Sequence, residues 1–144
     1  SVTLGANLQT IGDSAFYYCY NLENDLVLPN TLRSIGSNAF AWCKKLSSLR
    51  AGESLTNIGA KAFENCHELT SAEFGATLNS IGAYAFNECH ALTSVTFAQP
   101  NGWCWSLHSE MTDPALIPAA TLSDPASAAH YLSVTRVSCY WKRL

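Results

Sequence analysis

Two Cys-His pairs, Cys66-His67 and Cys89-His90, recur one repeat apart and together offer two sulfurs and two imidazoles, the donor set of a tetrahedral zinc site. Adjacent residues on a short turn point in different directions. With each cysteine inward and each histidine outward, the four donors cannot converge on one ion. The residues that follow Cys19 and Cys43 at the same place are Tyr20 and Lys44, so this position accepts side chains of unrelated chemistry. A second group of reactive types lies near the C-terminus: Ser106, His108, Glu110 and Asp113, with Cys104, His130 and Cys139. Nucleophilic catalysis needs a nucleophile, a base and an orienting acid within hydrogen-bond reach. Nothing in this stretch has the spacing of a nucleophile elbow or of another known catalytic motif. The chain's glycines stand singly and not as Gly-x-Gly-x-x-Gly, so no phosphate cradle is encoded. The expectation is a chain with no catalytic residues, no metal and no cofactor.

Chemistry is therefore sought in surfaces, and these are set by a repeat. The skeleton Leu-x-x-Ile-Gly-x-x-Ala-Phe-x-x-Cys-x-x-Leu occurs four times, beginning at Leu8, Leu32, Leu55 and Leu78. From Ile11 to Ile35 is 24 residues, and Ile35 to Ile58 and Ile58 to Ile81 are 23 each. These periods fall within the range of a leucine-rich solenoid. In the third copy Ala62, Phe63, Cys66 and Leu69 are spaced as one face of a short helical turn. The stretch after each terminal Leu alternates instead: Leu26-Val27-Leu28, Leu49-Arg50-Ala51, Ala72-Glu73-Phe74 and Val95-Thr96-Phe97 read as strands with one buried face. The expected fold class is a leucine-rich repeat solenoid, a right-handed α/β superhelix of short parallel strands and short helical turns.

Stacked turns put like residues in columns. The buried columns are the isoleucines, Phe16/Phe40/Phe63/Phe86 and Cys19/Cys43/Cys66/Cys89, the last acting as small hydrophobes. Gly12, Gly36, Gly59 and Gly82 stand where the chain turns, a place that a positive φ would suit. On the solvent side of the strands one column reads Thr3, Val27, Arg50, Glu73, Thr96 and its neighbour Asp25, Ser48, Ser71, Ser94. Arg50 and Glu73, on adjacent strands, are within reach of each other. The concave or sheet side is where solenoids usually bind, so the candidate binding residues are Val27, Ser48, Arg50, Ser71, Glu73, Ser94 and Thr96.

The ends of such a stack must be capped or continued. Val2-Thr3-Leu4 resembles the strand of a preceding turn, and the chain opens at Ser1 inside the pattern, as expected of a segment of a longer protein. Residues 1–98 form the repeats. The pattern fails at Ala98-Gln99-Pro100-Asn101-Gly102, and residues 99–144 are expected to cap the stack as an α+β unit. Trp103 to Leu107 reads as a strand. Ser123-Asp124-Pro125 is a helix start leading into Ala126–Ser133, and Val134 to Trp141 is β-branched and aromatic, expected as a strand. Three of the four tryptophans lie in this tail and would plug the open end. Cys104 and Cys139 stand outside the ladder, and the spacing leaves a bridge between them open.

Charged residues are 13% of the chain and leave a net charge of −3. That balance gives no electrostatic footprint for nucleic acid or an anionic membrane. No apolar run approaches the length of a membrane span, and no signal peptide lies in this segment.

The 23-residue unit, over residues 2–98, resembles the BspA-like class of bacterial leucine-rich repeats. The tail, with Asn101-Gly102-Trp103 and Ala128-Ala129 through Tyr140-Trp141-Lys142-Arg143, is similar to C-terminal segments on such proteins in gut Firmicutes. The resemblance implies secretion or surface display and adhesion to host or bacterial proteins such as matrix components. It implies no reaction and no defined binding residues. The partner expected for the strand face is a host or bacterial surface protein or glycan, and the chain is expected to be a monomer. A spacer or C-terminal cap of a larger surface protein, active upstream, is the alternative reading.

Overall fold

The computed structural model describes residues 2–144. The repeats coil as a β-solenoid in which each turn contributes two strands. The short strands are β1 (Thr10–Ile11), β3 (Ser34–Ile35), β5 (Asn57–Ile58) and β7 (Ser80–Ile81). The longer ones are β2 (Asn24–Val27), β4 (Leu46–Arg50), β6 (Ser71–Phe74) and β8 (Ser94–Phe97). Each set forms its own parallel stack, with β1-β3-β5-β7 in one sheet and β2-β4-β6-β8 in the other. Like pairs with like: Ile11, Ile35, Ile58 and Ile81 are in register, as are Ser48, Ser71 and Ser94. The β2–β4 register shifts between Asn24 and Asp25, where Ser47 of β4 is passed over and Asn24 takes a φ of 77°.

Between the sheets runs the phenylalanine column. Phe16, Phe40, Phe63 and Phe86 stack nearly parallel, with successive centroids 4.9, 5.3 and 5.2 Å apart and interplanar angles of 6°, 4° and 13°. Isoleucines and leucines of both sheets complete one contiguous core. The cysteine column is buried from Cys43 onward, and each thiol donates to the phenylalanine carbonyl one turn back: Cys43 to Phe16 at 3.2 Å, Cys66 to Phe40 at 3.3 Å and Cys89 to Phe63 at 3.1 Å. Burial pushes the Cys43 and Cys89 thiols up to about 12 and Cys66 higher still. All six cysteines are free, Cys104 and Cys139 included. No disulfide joins the two tail thiols.

The segment expected as a helical turn is not helical. Its spacing of apolar positions is met by a chain of tight turns in which two positions per repeat are left-handed. Ser14, Asn38, Lys61 and Tyr84 have φ between 56° and 60°, and Tyr18, Trp42, Asn65 and Glu88 between 59° and 66°. The backbone spends its amides between turns rather than within a helix. Phe16 N–H donates to Ala39 C=O at 2.7 Å, Phe40 to Ala62 at 2.8 Å and Phe63 to Ala85 at 2.8 Å. Amides committed to the next turn cannot close an i→i−4 ladder.

The repeated glycines are likewise not there for a positive φ, which among glycines only Gly102 adopts. They allow close approach. A Cβ on Gly59 would lie 2.6 Å from the Gly36 carbonyl carbon and the Ser37 nitrogen, and one on Gly82 would lie 2.4 Å from the Ala60 nitrogen. Val2-Thr3-Leu4 does not form the expected strand, although Val2 and Leu4 pack against the core. The chain just after it is tied to the second repeat through Thr31 Oγ1, which donates to Ala6 and Leu8 C=O at 2.7 and 2.8 Å.

After the last repeat, β9 (Trp103–Ser106) and β11 (Tyr140–Arg143) extend the short-strand sheet. β11 runs antiparallel to β7, with Trp141 opposite Ile81, and β9 and β10 (Ala115–Leu116) follow outward. Two helices, α1 (Ala119–Ser123) and α2 (Pro125–His130), pack on β8. Asp124 caps α2 by accepting the Ser127 amide at 2.8 Å, as the Ser-Asp-Pro start predicts. The helical path continues as a wide turn over Tyr131–Thr135. The strand expected over Val134–Trp141 therefore shrinks to its last two residues plus Lys142 and Arg143. Its β-branched start is held instead by helical hydrogen bonds such as Arg136 N–H to Tyr131 C=O at 2.9 Å, a case of context overriding propensity. Trp103 and Trp141 are 0% and 2% exposed and close over Phe97, their indole N–H groups donating to Gln99 and Arg136 carbonyls.

Gly59→Ala is expected to destabilise by about 1–3 kcal/mol, because the added methyl meets backbone that cannot swing away. Gly12→Ala, with nothing within 4 Å of the new atom, should stay within about 0.5 kcal/mol of the parent. Urea unfolding of the two variants checks the pair.

Candidate functional site

The outward face of the four longer strands gathers the residues singled out from the sequence. Alternation along each strand sends Leu49, Ala72 and Val95 inward and Arg50, Glu73 and Thr96 outward, and register sets these outward groups side by side. Arg50 Nε donates to Glu73 Oε2 at 3.0 Å. With side-chain exposures of 66% and 53% the pair is solvated, and such a pair contributes about 0–1 kcal/mol. It shapes the surface more than it stabilises it.

Beside it, Asp25 Oδ1 accepts hydrogen bonds from Ser48 Oγ at 2.7 Å and Ser47 Oγ at 3.2 Å. These bonds, with the Ser48 one foremost, hold the Asp25 carboxyl below the usual carboxylate range. Asp25, Val27, Ser48, Arg50, Ser71 and Glu73 line one shallow depression of about 110 Å³. A second, of about 350 Å³, lies on the other side of the ion pair against Phe74, Gly75, Thr96 and Phe97. Val27, Ser48, Arg50, Ser71 and Glu73 are thus brought to one place. Thr96 belongs to the second depression, and Ser94 continues the serine column in register with Ser71. Thr3 is exposed and lies outside the sheet.

The other reactive groups separate. Cys66 and Cys89 point into the core while His67 and His90 stack outside it, ring centroids 5.8 Å apart. Among the described residues no group of three or more His, Cys, Asp or Glu side chains is arranged to hold a metal ion. In the tail, Ser106 is 0% exposed and its Oγ accepts the His108 amide at 3.1 Å, so this hydroxyl is turned into its own loop. His108 and Glu110 stand in solvent. No described helix is long and apolar enough to cross a membrane.

A family profile described as BspA type leucine rich repeat region (6 copies) matches residues 1–102, most of the chain and all four repeats. The chain belongs to the BspA-type leucine-rich repeat family. Comparison with curated proteins gives no match. Among solved structures, this BspA-type chain is similar to a leucine-rich cell surface protein from Faecalibacterium prausnitzii, with 24% identity, a TM-score of 0.46, and 67% of this chain aligned to 31% of that one. It is similar to a leucine-rich repeat protein of T. pallidum at 27% identity and a TM-score of 0.46, with coverage of 62% and 52%. A leucine-rich repeat protein from Bacteroides ovatus aligns at 21% identity and a TM-score of 0.33, with coverage of 65% and 42%. The chain thus spans about a third to a half of the length of these proteins.

Asp25 is a member of the surface column that alternation alone does not rank. What distinguishes it is the pair of serines at 47 and 48, one of which the bulge at Asn24/Asp25 brings into register with it. Ser48→Ala is expected to raise the Asp25 titration toward the ordinary carboxylate range, since the stronger of its two donors is gone. Carbon-detected NMR titration of the side-chain carboxyl reads this directly. An unmoved midpoint would show that Ser48 does not hold the carboxylate.

Proposed function

We propose that this chain is a non-catalytic recognition module, and that the outer face of the long-strand sheet engages a host or bacterial surface protein or glycan. The observation that carries this reading is the flat, in-register strip of small polar side chains, Ser48, Ser71, Ser94 and Thr96, centred on the exposed Arg50–Glu73 pair. Short hydroxyl side chains lose little rotamer freedom when covered, and a single ion pair at the centre can orient a partner. Membership of a BspA-type repeat family agrees with binding rather than turnover. The fold by itself specifies only a displayed surface, so this assignment rests on the strip.

In this reading residues 1–98 are the recognition repeats and residues 99–144 the cap, and the whole is secreted or displayed at a cell surface as a monomeric adhesin module. A second reading, a spacer or terminal cap of a larger surface protein, is favoured by one feature: the tail seals only the C-terminal end, with Trp103 and Trp141 over Phe97.

The Arg50→Ala/Glu73→Ala/Thr96→Ala variant decides between them. It should keep the parent's thermal midpoint, because every changed residue is exposed, and should bind immobilised extracellular-matrix proteins at least about tenfold more weakly. Undiminished binding would remove the sheet face from the account and leave the spacer reading.

A further inference from the structure

The edge of the solenoid formed by the turns, away from the long-strand sheet, carries a feature that neither the core nor the strip uses. Rings run along it in contact. Tyr17 and Tyr18 lie 4.1 Å apart by centroid, Tyr18 and Tyr20 5.4 Å, Tyr18 and Trp42 5.6 Å, Trp42 and His67 6.5 Å, and His67 and His90 5.8 Å. The file thus crosses all four turns. Its three tyrosines are 41%, 45% and 45% exposed. The Lys44 ammonium sits over both Tyr20 and Trp42, 5.3 and 5.2 Å from their centroids, and so braces the two rings.

Backbone conformation supplies a second, independent observation. Tyr18 and Trp42 occupy left-handed positions, with φ of 61° and 66°. Large aromatic residues are disfavoured there, and Asn is the side chain that tolerates the region. The equivalent position in the third turn is Asn65, with the same φ of 61°. The fold therefore accepts the unstrained choice at this position. Tyr and Trp are held there at a cost to the backbone, as is Glu88 at the same place in the fourth turn, and what compensates it at Tyr18 and Trp42 is their contact with each other and, at Trp42, with the Lys44 ammonium.

We infer that this aromatic file is a docking surface for a neutral, extended glycan, a chain of β-linked hexopyranoses. The inference deepens the recognition reading and rests on it, but assigns the glycan to the turn edge rather than to the sheet. Equatorially substituted sugar rings have apolar C–H faces that lie on aromatic faces, and hydroxyls around the rim. Here polar groups stand beside the rings: Asn21, Lys44, and the Asn65 carboxamide that meets His67 Nε2 at 3.3 Å. The charged groups seen against the file, the Lys44 ammonium over Tyr20 and Trp42 and the Glu88 carboxylate 2.8 Å from His90 Nε2, are of opposite sign, which favours a neutral ligand over a charged one. Three intervals between turns span about 14 Å, room for about three consecutive sugar rings. Proline-rich peptides, the other ligands of aromatic surfaces, seat in grooves between ridges. The rings here form one file.

The test is calorimetric titration of the protein with cellobiose, cellotetraose, cellohexaose and decaproline. Cellotetraose should bind more tightly than cellobiose, with little further gain for cellohexaose. The Tyr18→Asn/Trp42→Asn variant should fold with an unlowered thermal midpoint, since Asn suits the backbone, yet bind cellotetraose at least about tenfold more weakly. Arg50→Ala/Glu73→Ala should bind it as the parent does. If the double Asn variant fails to fold, Tyr20→Ala, exposed and free of the left-handed strain, carries the same expectation. No binding of cello-oligosaccharides by the parent, unchanged binding by the ring variants, loss confined to the Arg50/Glu73 variant, or preference for decaproline would each overturn the assignment. The matrix-protein assay above is independent of this result, so failure of the glycan site and failure of the sheet-face reading are told apart.

Discussion

Backbones stacked at the spacing of hydrogen-bonded strands, about 4.7–4.9 Å, cannot admit unlike side chains between them without a local shift. That spacing governs this molecule. At Gly36, Gly59 and Gly82 the turns approach so closely that a single methyl would meet the main chain of the turn before. The same spacing sets the phenylalanine rings 4.9 to 5.3 Å apart and nearly parallel. It also places each buried thiol on the preceding phenylalanine carbonyl. Repetition in the sequence is thus a packing requirement. A turn fits because it has the shape of its neighbours, and its amides are satisfied only by theirs.

The tail obeys the constraint by abandoning the repeat. An antiparallel strand, β11, meets β7 and returns the backbone hydrogen bonds that a fifth turn would have used. Tyr84 N–H, which in the pattern would donate to another turn, donates to Val137 C=O at 2.7 Å. Two tryptophans then cover the last apolar cross-section. At the opposite end, Phe16, Leu8 and Leu22 remain only partly covered. The two ends of the described stack are chemically different.

Much of this was legible in the order of residues, because register follows from period. The columns, the strand alternation and the Arg50–Glu73 contact all come from counting. What counting missed was backbone conformation. The spacing of Ala62, Phe63, Cys66 and Leu69 is the same whether their amides bond within a helix or to the next turn, and only the left-handed φ of Lys61 and Asn65 separates the two. Glycine can mean a positive φ or a close approach, and in this chain it means the second. The β-branched run from Val134 looked like a strand because propensity does not register the helix it continues. The surface strip was readable from alternation. The aromatic file was not, since Tyr17, Tyr18, Tyr20 and Trp42 fall on the half of the repeat whose geometry the pattern leaves undefined.

The central claim is that stability comes from like side chains stacked turn upon turn, and it is tested most directly by comparing Phe63→Ala with Phe16→Ala in urea. Phe63 is fully buried between two rings, whereas Phe16 has a ring on one side only and is partly exposed. The account predicts a loss of about 3–5 kcal/mol for Phe63→Ala and a distinctly smaller loss for Phe16→Ala. Equal losses at the two sites, or a Phe63 loss below about 1 kcal/mol, would contradict it.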